Sequence, residues 1–237
     1  MNLYKLNQLA IEFRLDIGLN HDTPLDFFPM ITSKLKNLTI VFLEMDEKIS
    51  GACCKVDSQL IMFINSKHPK GRQVFTAAHE LYHLFYEDTT FTICNLNSND
   101  EVEKNANQFA SFLLIPTNAL YSYKKQNHIE KWDLDSIIDC EQYFQISHEA
   151  LLYRLKTGGD ITFDEFNAFK PNIKYNAQHR GYDSGLYEPY IDKNYTIGNY
   201  VRLVEDVYEK DLISNGKREE YLIQSYLSDL VYNLEDL

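Results

Sequence analysis

Apolar positions repeat with helical spacing over most of the chain and with strand spacing in one early block. Leu3, Leu6, Leu9, Ala10 and Phe13 share one face of a helix over residues 3–15, and Gly18 follows as its stop. Pro24 and Pro29 then bracket a second short apolar stretch. Residues 38–43 are apolar and β-branched, which suits a strand. Residues 51–55 and 60–65 flank the polar run Val56-Asp57-Ser58-Gln59, which predicts a β-hairpin with LIMFIN as its stronger strand.

Two helices follow. Residues 72–86 are dense in Ala, Leu and aromatic side chains, with no Gly or Pro inside. The next helix, 98–115, opens on Ser98, whose spacing to Glu101 fits a capping box. Its Val102, Ala106, Phe109, Ala110, Leu113 and Leu114 form the best helical stripe in the chain, and Pro116 ends it. Further helices are predicted over 117–126, 134–144 and 147–156, the last broken by Gly158-Gly159. From about residue 165 the tail holds ten of the seventeen tyrosines, with extended pieces and a final helix near 217–235. The fold expected is α+β: a mostly helical core over 1–164 with a small antiparallel β-sheet, and a helical and irregular C-terminal appendage over 165–237.

Composition narrows the function classes. A net charge of −12 gives nucleic acid no general electrostatic attraction, so direct nucleic-acid binding is not expected. No apolar run approaches the roughly 20 residues of a membrane span. The N-terminal stretch is amphipathic and carries charges, unlike a signal peptide. Cys53 and Cys54 are adjacent while Cys94 and Cys140 stand alone, so neither a disulfide framework nor a zinc-ribbon spacing is present. These features fit a cytoplasmic protein with reduced thiols.

The chemistry centres on His79-Glu80-Leu81-Tyr82-His83. On a helix, histidines four apart lie one turn above each other, so both imidazoles can reach one ion. Glu80 sits at the edge of the same face, where it can take a proton from water instead of binding the metal. Three fixed residues in five also occur by accident. Here Val74, Phe75, Ala77, Ala78, Leu81, Leu84 and Phe85 make the helix too apolar to be a solvated one, and a buried histidine pair wants a partner. A catalytic zinc takes three protein ligands and keeps one position open. The helix over 98–115 offers Glu101, which suits the cap, and Glu103, at the border of its apolar stripe, which becomes the third ligand.

RQVFTAAHELYHL followed by EKNANQFASFLLIP resembles the ImmA/IrrE family of metallopeptidases, which pairs an HExxH helix with a downstream ExxA(N/D)xFAxxLLxP helix. ISGACCKVDSQLIMFIN is similar to the hairpin that precedes that family's zinc helix, and the resemblance covers roughly residues 10 to 157. It implies a zincin-like peptidase core and a gluzincin-like site holding one Zn2+ per chain on His79, His83 and Glu103, with Glu80 as general base. It also implies that Asn107 supports a ligand imidazole by a hydrogen bond. Tyr82 stands where many relatives have glycine, and its ring could narrow the cleft or contribute a hydroxyl.

The activity implied is peptide hydrolysis, with the substrate extended beside the hairpin's edge. The partner implied is a helix-turn-helix transcriptional repressor, whose cleavage would release mobile-element or stress genes. A second reading keeps the zinc site but acts by association, as in a toxin–antitoxin-like pair. His179, Arg180 and Tyr182 are candidate oxyanion donors, against ordinary surface packing. YFQISHEALLYRL, within the helices 134–156, resembles part of a helix-turn-helix. With Arg154 and Lys156 set among Asp133, Asp135, Asp139, Glu141 and Glu149, it reads better as a packing element.

Overall fold

The computed structural model describes residues 1–87, 91–95 and 100–232, with the backbone alone for 91–95. Helix α1 (Leu3–Asp16) starts where the Asn2 side chain accepts the Lys5 N–H at 2.8 Å, and it ends before Gly18 at φ 69°. It buries Leu6, Ala10 and Phe13 of the expected face, with Leu9 half-buried and Leu3, at the helix start, exposed. Arg14 is buried as well, and its guanidinium donates to the carbonyls of Asn20, Thr23 and Leu113. Helix α2 (Phe27–Lys34) holds Pro29 in its first turn, where no helical N–H partner is needed.

Strands β1 (Leu38–Leu43), β2 (Ile49–Val56) and β3 (Gln59–Asn65) follow. Asp57 takes a left-handed φ of 52° in the two-residue turn between β2 and β3, which matches the twist of the hairpin. Helix α3 (Lys70–Tyr86), strand β4 (Phe91–Asn95) and helix α4 (Glu101–Leu114) come next. Then come α5 (Thr117–Gln126), α6 (Leu134–Phe144), α7 (His148–Gly158), α8 (Phe163–Phe169) and α9 (Ile173–His179). After a short 3-10 turn, strand β5 (Tyr195–Gly198) leads into α10 (Asn199–Glu209), α11 (Asn215–Gln224) and α12 (Ser228–Tyr232). Ser98, expected to cap α4, lies outside the described residues; Asp100 holds the cap position without a side-chain cap bond.

The architecture is α+β and mostly helical, but the sheet is mixed, not antiparallel. Its order is β4-β2-β3-β1-β5, and β1 pairs with β3 in parallel, Leu38 opposite Leu60 through Leu43 opposite Asn65. The tight turn after β2 brings β3 back between β2 and β1, so β1 meets a strand running its own way. Both hairpin strands are therefore interior, and the edge expected there for a substrate lies instead on β4 and β5. Leu38, Ile40 and Phe42 of β1 and Met62 and Ile64 of β3 are fully buried in one apolar core.

The tail contributes to both this core and a smaller one. Phe166 belongs to the main core, Tyr190 stacks on Phe28 at 4.8 Å between ring centroids, and β5 pairs antiparallel with β1. Gly198 has φ 96° and faces the Leu38 carbonyl so closely that a Cβ would overlap it. Val204, Leu222 and Leu227 form the second cluster. The single helix predicted near 217–235 is two helices, its last residues, 233–235, lying outside the described part. The break comes from Tyr226 at φ 63°: Tyr226 N–H bonds to Ile223 O and Leu227 N–H to Leu222 O. That closing turn folds Leu227 back beside Leu222.

Candidate metal centre

Helix α3 lies with one flank on β2 and another on α4. Val74, Ala77, Ala78, Leu81 and Leu84 bury it on several sides, and His79 and His83, one turn apart, are only 6% and 1% exposed. The stripe Ala106, Phe109, Ala110 and Leu113 sets α4 with its first turn over that histidine pair, and Glu103 lies in that turn. Glu101 points elsewhere, its largely exposed carboxylate pairing with the Met1 amine at 3.2 Å.

Three donor groups converge. His79 Nε2 lies 3.0 Å from His83 Nε2 and 3.1 Å from Glu103 Oε2, and His83 Nε2 lies 3.6 Å from Glu103 Oε1. The other nitrogen of each ring faces an acceptor. Asn107 Oδ1 is 2.9 Å from His79 Nδ1, and Glu87 Oε2 is 2.7 Å from His83 Nδ1. An acceptor at Nδ1 favours a ring hydrogen there, which leaves both Nε2 atoms aimed at each other and at the Glu103 carboxylate.

That arrangement asks for positive charge. Burial alone weakens the basicity of His79, but the hydrogen bond and charge of Glu103, with the charge of Glu80, outweigh it and raise His79 above the ordinary imidazole value. Glu103, which burial would push up, is held below the usual carboxylate range by its hydrogen bond to His79 and the nearby imidazoles. Around a tetrahedral zinc with nitrogen ligands at about 2.05 Å, donor atoms sit roughly 3.3 Å apart. The separations among the three donor groups bracket that value, and the groups lie within 4.8 Å of one another and could hold a metal ion.

Glu80 is fully buried on the β2 side of the helix. Its approach depends on Gly51: a Cβ there would lie 2.6 Å from Thr76 Cγ2, 2.8 Å from the Phe63 carbonyl and 3.0 Å from Glu80 Oε1. The Cys53 thiol hydrogen-bonds Glu80, and burial together with that carboxylate pushes the thiol far up. Cys53, Cys54 and Cys140 are free. Neither Gly51 nor Glu87 stood out in the sequence. Gly51 could have been found as a glycine inside a strand, a sign of close backbone approach. Glu87 could have been found as a carboxylate four residues after a histidine.

Tyr82 sits in the interface of the two helices, its ring 5.6 Å from Phe109, 5.7 Å from Tyr86 and 6.0 Å from His83, with its hydroxyl bonded to the Asn105 side chain. The tail donors do not join the cluster. Arg180 makes a two-pronged pair with Asp139 and reaches Asp135, and the Tyr182 hydroxyl donates to Asp139 at 3.0 Å. His179 packs on Tyr175. Arg154, the cation a DNA-reading helix would offer, is buried over the Phe112 ring at 4.2 Å and donates to Thr117 Oγ1. Arg154 thus packs within the fold, and the Lys156 ammonium lies over the Tyr153 and Phe166 rings. Among the described residues no helix is long and apolar enough to cross a membrane.

Residues 34–156 match the IrrE N-terminal-like domain of the peptidase M78 family. No curated protein matches the chain. Among solved structures a Mycobacterium tuberculosis transcriptional regulator is similar, at 14% identity and a TM-score of 0.46 over 65% of this chain. The chain spans 46% of that protein's length, and so distant a likeness bears on neither fold nor activity.

Proposed function

The chain belongs to the peptidase M78 family of IrrE N-terminal-like domains, and we propose that it is a zinc-dependent endopeptidase acting on a protein partner. The observation that carries the reading is the convergence of two imidazole Nε2 atoms and a carboxylate with both Nδ1 atoms already taken. His79, His83 and Glu103 would hold one Zn2+ per chain. When bound there, zinc supplies Lewis acidity, polarising a peptide carbonyl and bringing the pKa of a water toward about 7.

The chain's own residues do the rest. Glu80, enclosed between α3 and β2, accepts the proton of the attacking water and returns it to the leaving amine. Asn107 keeps His79 in the tautomer that offers Nε2. Strand β4, the outer strand on the side of the sheet where α3 packs against β2, presents an edge along which an extended peptide can bind through main-chain hydrogen bonds. The substrate class is the helix-turn-helix repressor implied by the family resemblance.

Metal content by mass spectrometry tests the centre: about one zinc per chain in the wild type, lost in Glu103→Ala. Co-expression with a repressor encoded beside the gene tests the reaction. Glu80→Gln should keep its zinc and lose cleavage by about 10²–10⁴-fold, the span of general-base catalysis. Wild-type protein that binds no added zinc would sink the peptidase reading. Zinc-loaded protein that binds the repressor intact would make it an association partner instead.

A further inference from the structure

The two imidazoles of the centre are held by different means. His79 is held across the helix interface by an amide on α4, the helix that carries Glu103. His83 is held by a carboxylate on its own helix, from the residue at which that helix stops. Glu87 is the C-cap of α3, with extended dihedrals of φ −124° and ψ 148°, and its side chain turns back one turn to reach Nδ1 at 2.7 Å. The contact is almost dry: His83 is 1% and Glu87 15% exposed.

Local preference runs against a carboxylate in that place. The last turn of a helix ends in unpaired carbonyls and a partial negative charge, which favour Lys, Arg or His. Glu103 and Glu80 already lie close by, so Glu87 adds a third carboxylate to one crowded corner. Lys55 answers part of that charge, its ammonium donating to the Glu87 main-chain carbonyl at 2.8 Å, while the carboxylate itself faces the ring. A residue that breaks a local rule beside a ligand group, while meeting that group at hydrogen-bond distance, has its compensation in the site.

We propose that Glu87 is the positioning residue of His83: its carboxylate fixes the ring's rotation and keeps the hydrogen on Nδ1, so that Nε2 presents its lone pair beside His79 and Glu103. This rests on reading the cluster as a metal centre. Glu87 does not touch the ion or the substrate; it acts through the imidazole, as carboxylates behind zinc-bound histidines do. Because its acceptor is charged and the contact is shielded from water, Glu87 outweighs Asn107 in holding the metal.

The test uses the full chain in wild-type, Glu87→Ala, Glu87→Gln, Glu87→Asp and Asn107→Ala forms. Zinc affinity is read by competition with a chromophoric chelator, and the His83 tautomer by long-range proton–nitrogen spectra of metal-free protein. Glu87→Ala should bind zinc about 10–100-fold more weakly, and its His83 should change from the Nδ1–H tautomer to a mixture. Glu87→Gln, which keeps an acceptor at the same reach, should restore the tautomer and most of the affinity. Asn107→Ala should lose less zinc affinity than Glu87→Ala. Should Glu87→Ala fail to fold, Glu87→Asp, one methylene short of the ring, is expected to show the same two losses.

Wild-type affinity in Glu87→Ala, or an unchanged tautomer, would overturn the proposal. So would a lowered unfolding midpoint with tautomer and affinity both intact, the signature of a merely structural contact. A wild type that takes up no zinc would overturn the metal-centre reading instead. The tautomer comparison would then decide the role of Glu87 by itself.

Discussion

Two helix pairs in this chain each bury a histidine against a glutamate, and they close their hydrogen bonds in opposite ways. Between α6 and α7, His148 Nδ1 meets Glu141 Oε2 at 2.5 Å and its Nε2 meets the Phe169 carbonyl at 3.0 Å. The other oxygen of Glu141 accepts the Tyr187 hydroxyl, which in turn accepts the Gln142 amide at 3.0 Å. Burial and the Glu141 charge push the Tyr187 hydroxyl far up, so it remains a donor. Each nitrogen of that ring faces an oxygen in its own direction, so the two ring ends diverge and no further donor group joins them. Between α3 and α4 each Nδ1 faces its own acceptor, and the two Nε2 atoms converge on each other and on the Glu103 carboxylate. Burial and the residue types are alike in the two places. What separates a candidate metal centre from a packed polar network is where the second nitrogen points.

The comparison breaks most visibly at Glu141. Glu141→Ala strips the partner from two buried groups and should cost about 3–5 kcal/mol in urea unfolding, the scale for breaking one side of a buried pair. Its zinc stoichiometry should remain that of the wild type. Loss of zinc in this variant would show that the two pairs are not independent. A smaller cost is expected of Gly51→Ala, where the added methyl meets Thr76 and the Phe63 carbonyl at separations real Cβ atoms do not show. Overpacking of that kind costs about 1–3 kcal/mol, and because Glu80 is the third neighbour, cleavage should fall with stability while zinc stays. Tyr82→Phe is the mildest. It removes the hydroxyl that bonds Asn105 and should cost about 1 kcal/mol without changing zinc affinity. A large zinc effect there would mean that contact with the His83 ring, and not possession of its Nδ1, governs the site.

Much of this was legible in the chain, and the limits follow range. Boundaries set by local signals agree with the structure to within a residue or two: β1 lies on 38–43, α6 on 134–144, and Gly159 at φ 78° closes α7. His79, His83 and Glu103 could be named because two helical periodicities placed them, and Asn107 because the family resemblance implied it; the fold then brings those positions together. What escaped depends on pairings that no local pattern records. β4 is a short strand whose existence depends on β2 beside it. The parallel match of β1 with β3 follows from the route of the chain and not from alternation within either strand. Glu141 finds Tyr187 forty-six residues on, across the end of a helix. The tail was read as extended pieces because its helices are short and their caps scattered, as at Tyr226, where a non-glycine residue takes the left-handed turn.

The pairing of β5 with β1 also sets an order of events during synthesis. Thr39 faces Gly198 and Phe42 faces Tyr195, so the free side of β1 finds its neighbour only after most of the chain has been made. Strands β1 to β3 can zip together as soon as Asn65 has left the ribosome, and β1 then shows an apolar, hydrogen-bond-hungry border to whatever is near. At bacterial or eukaryotic elongation speeds of about 5–20 residues per second, that border waits on the order of ten seconds for its cover. A nascent chain paused between residues 65 and 195 is therefore the form most exposed to sticking to another copy of itself, and the form a chaperone would have most reason to hold.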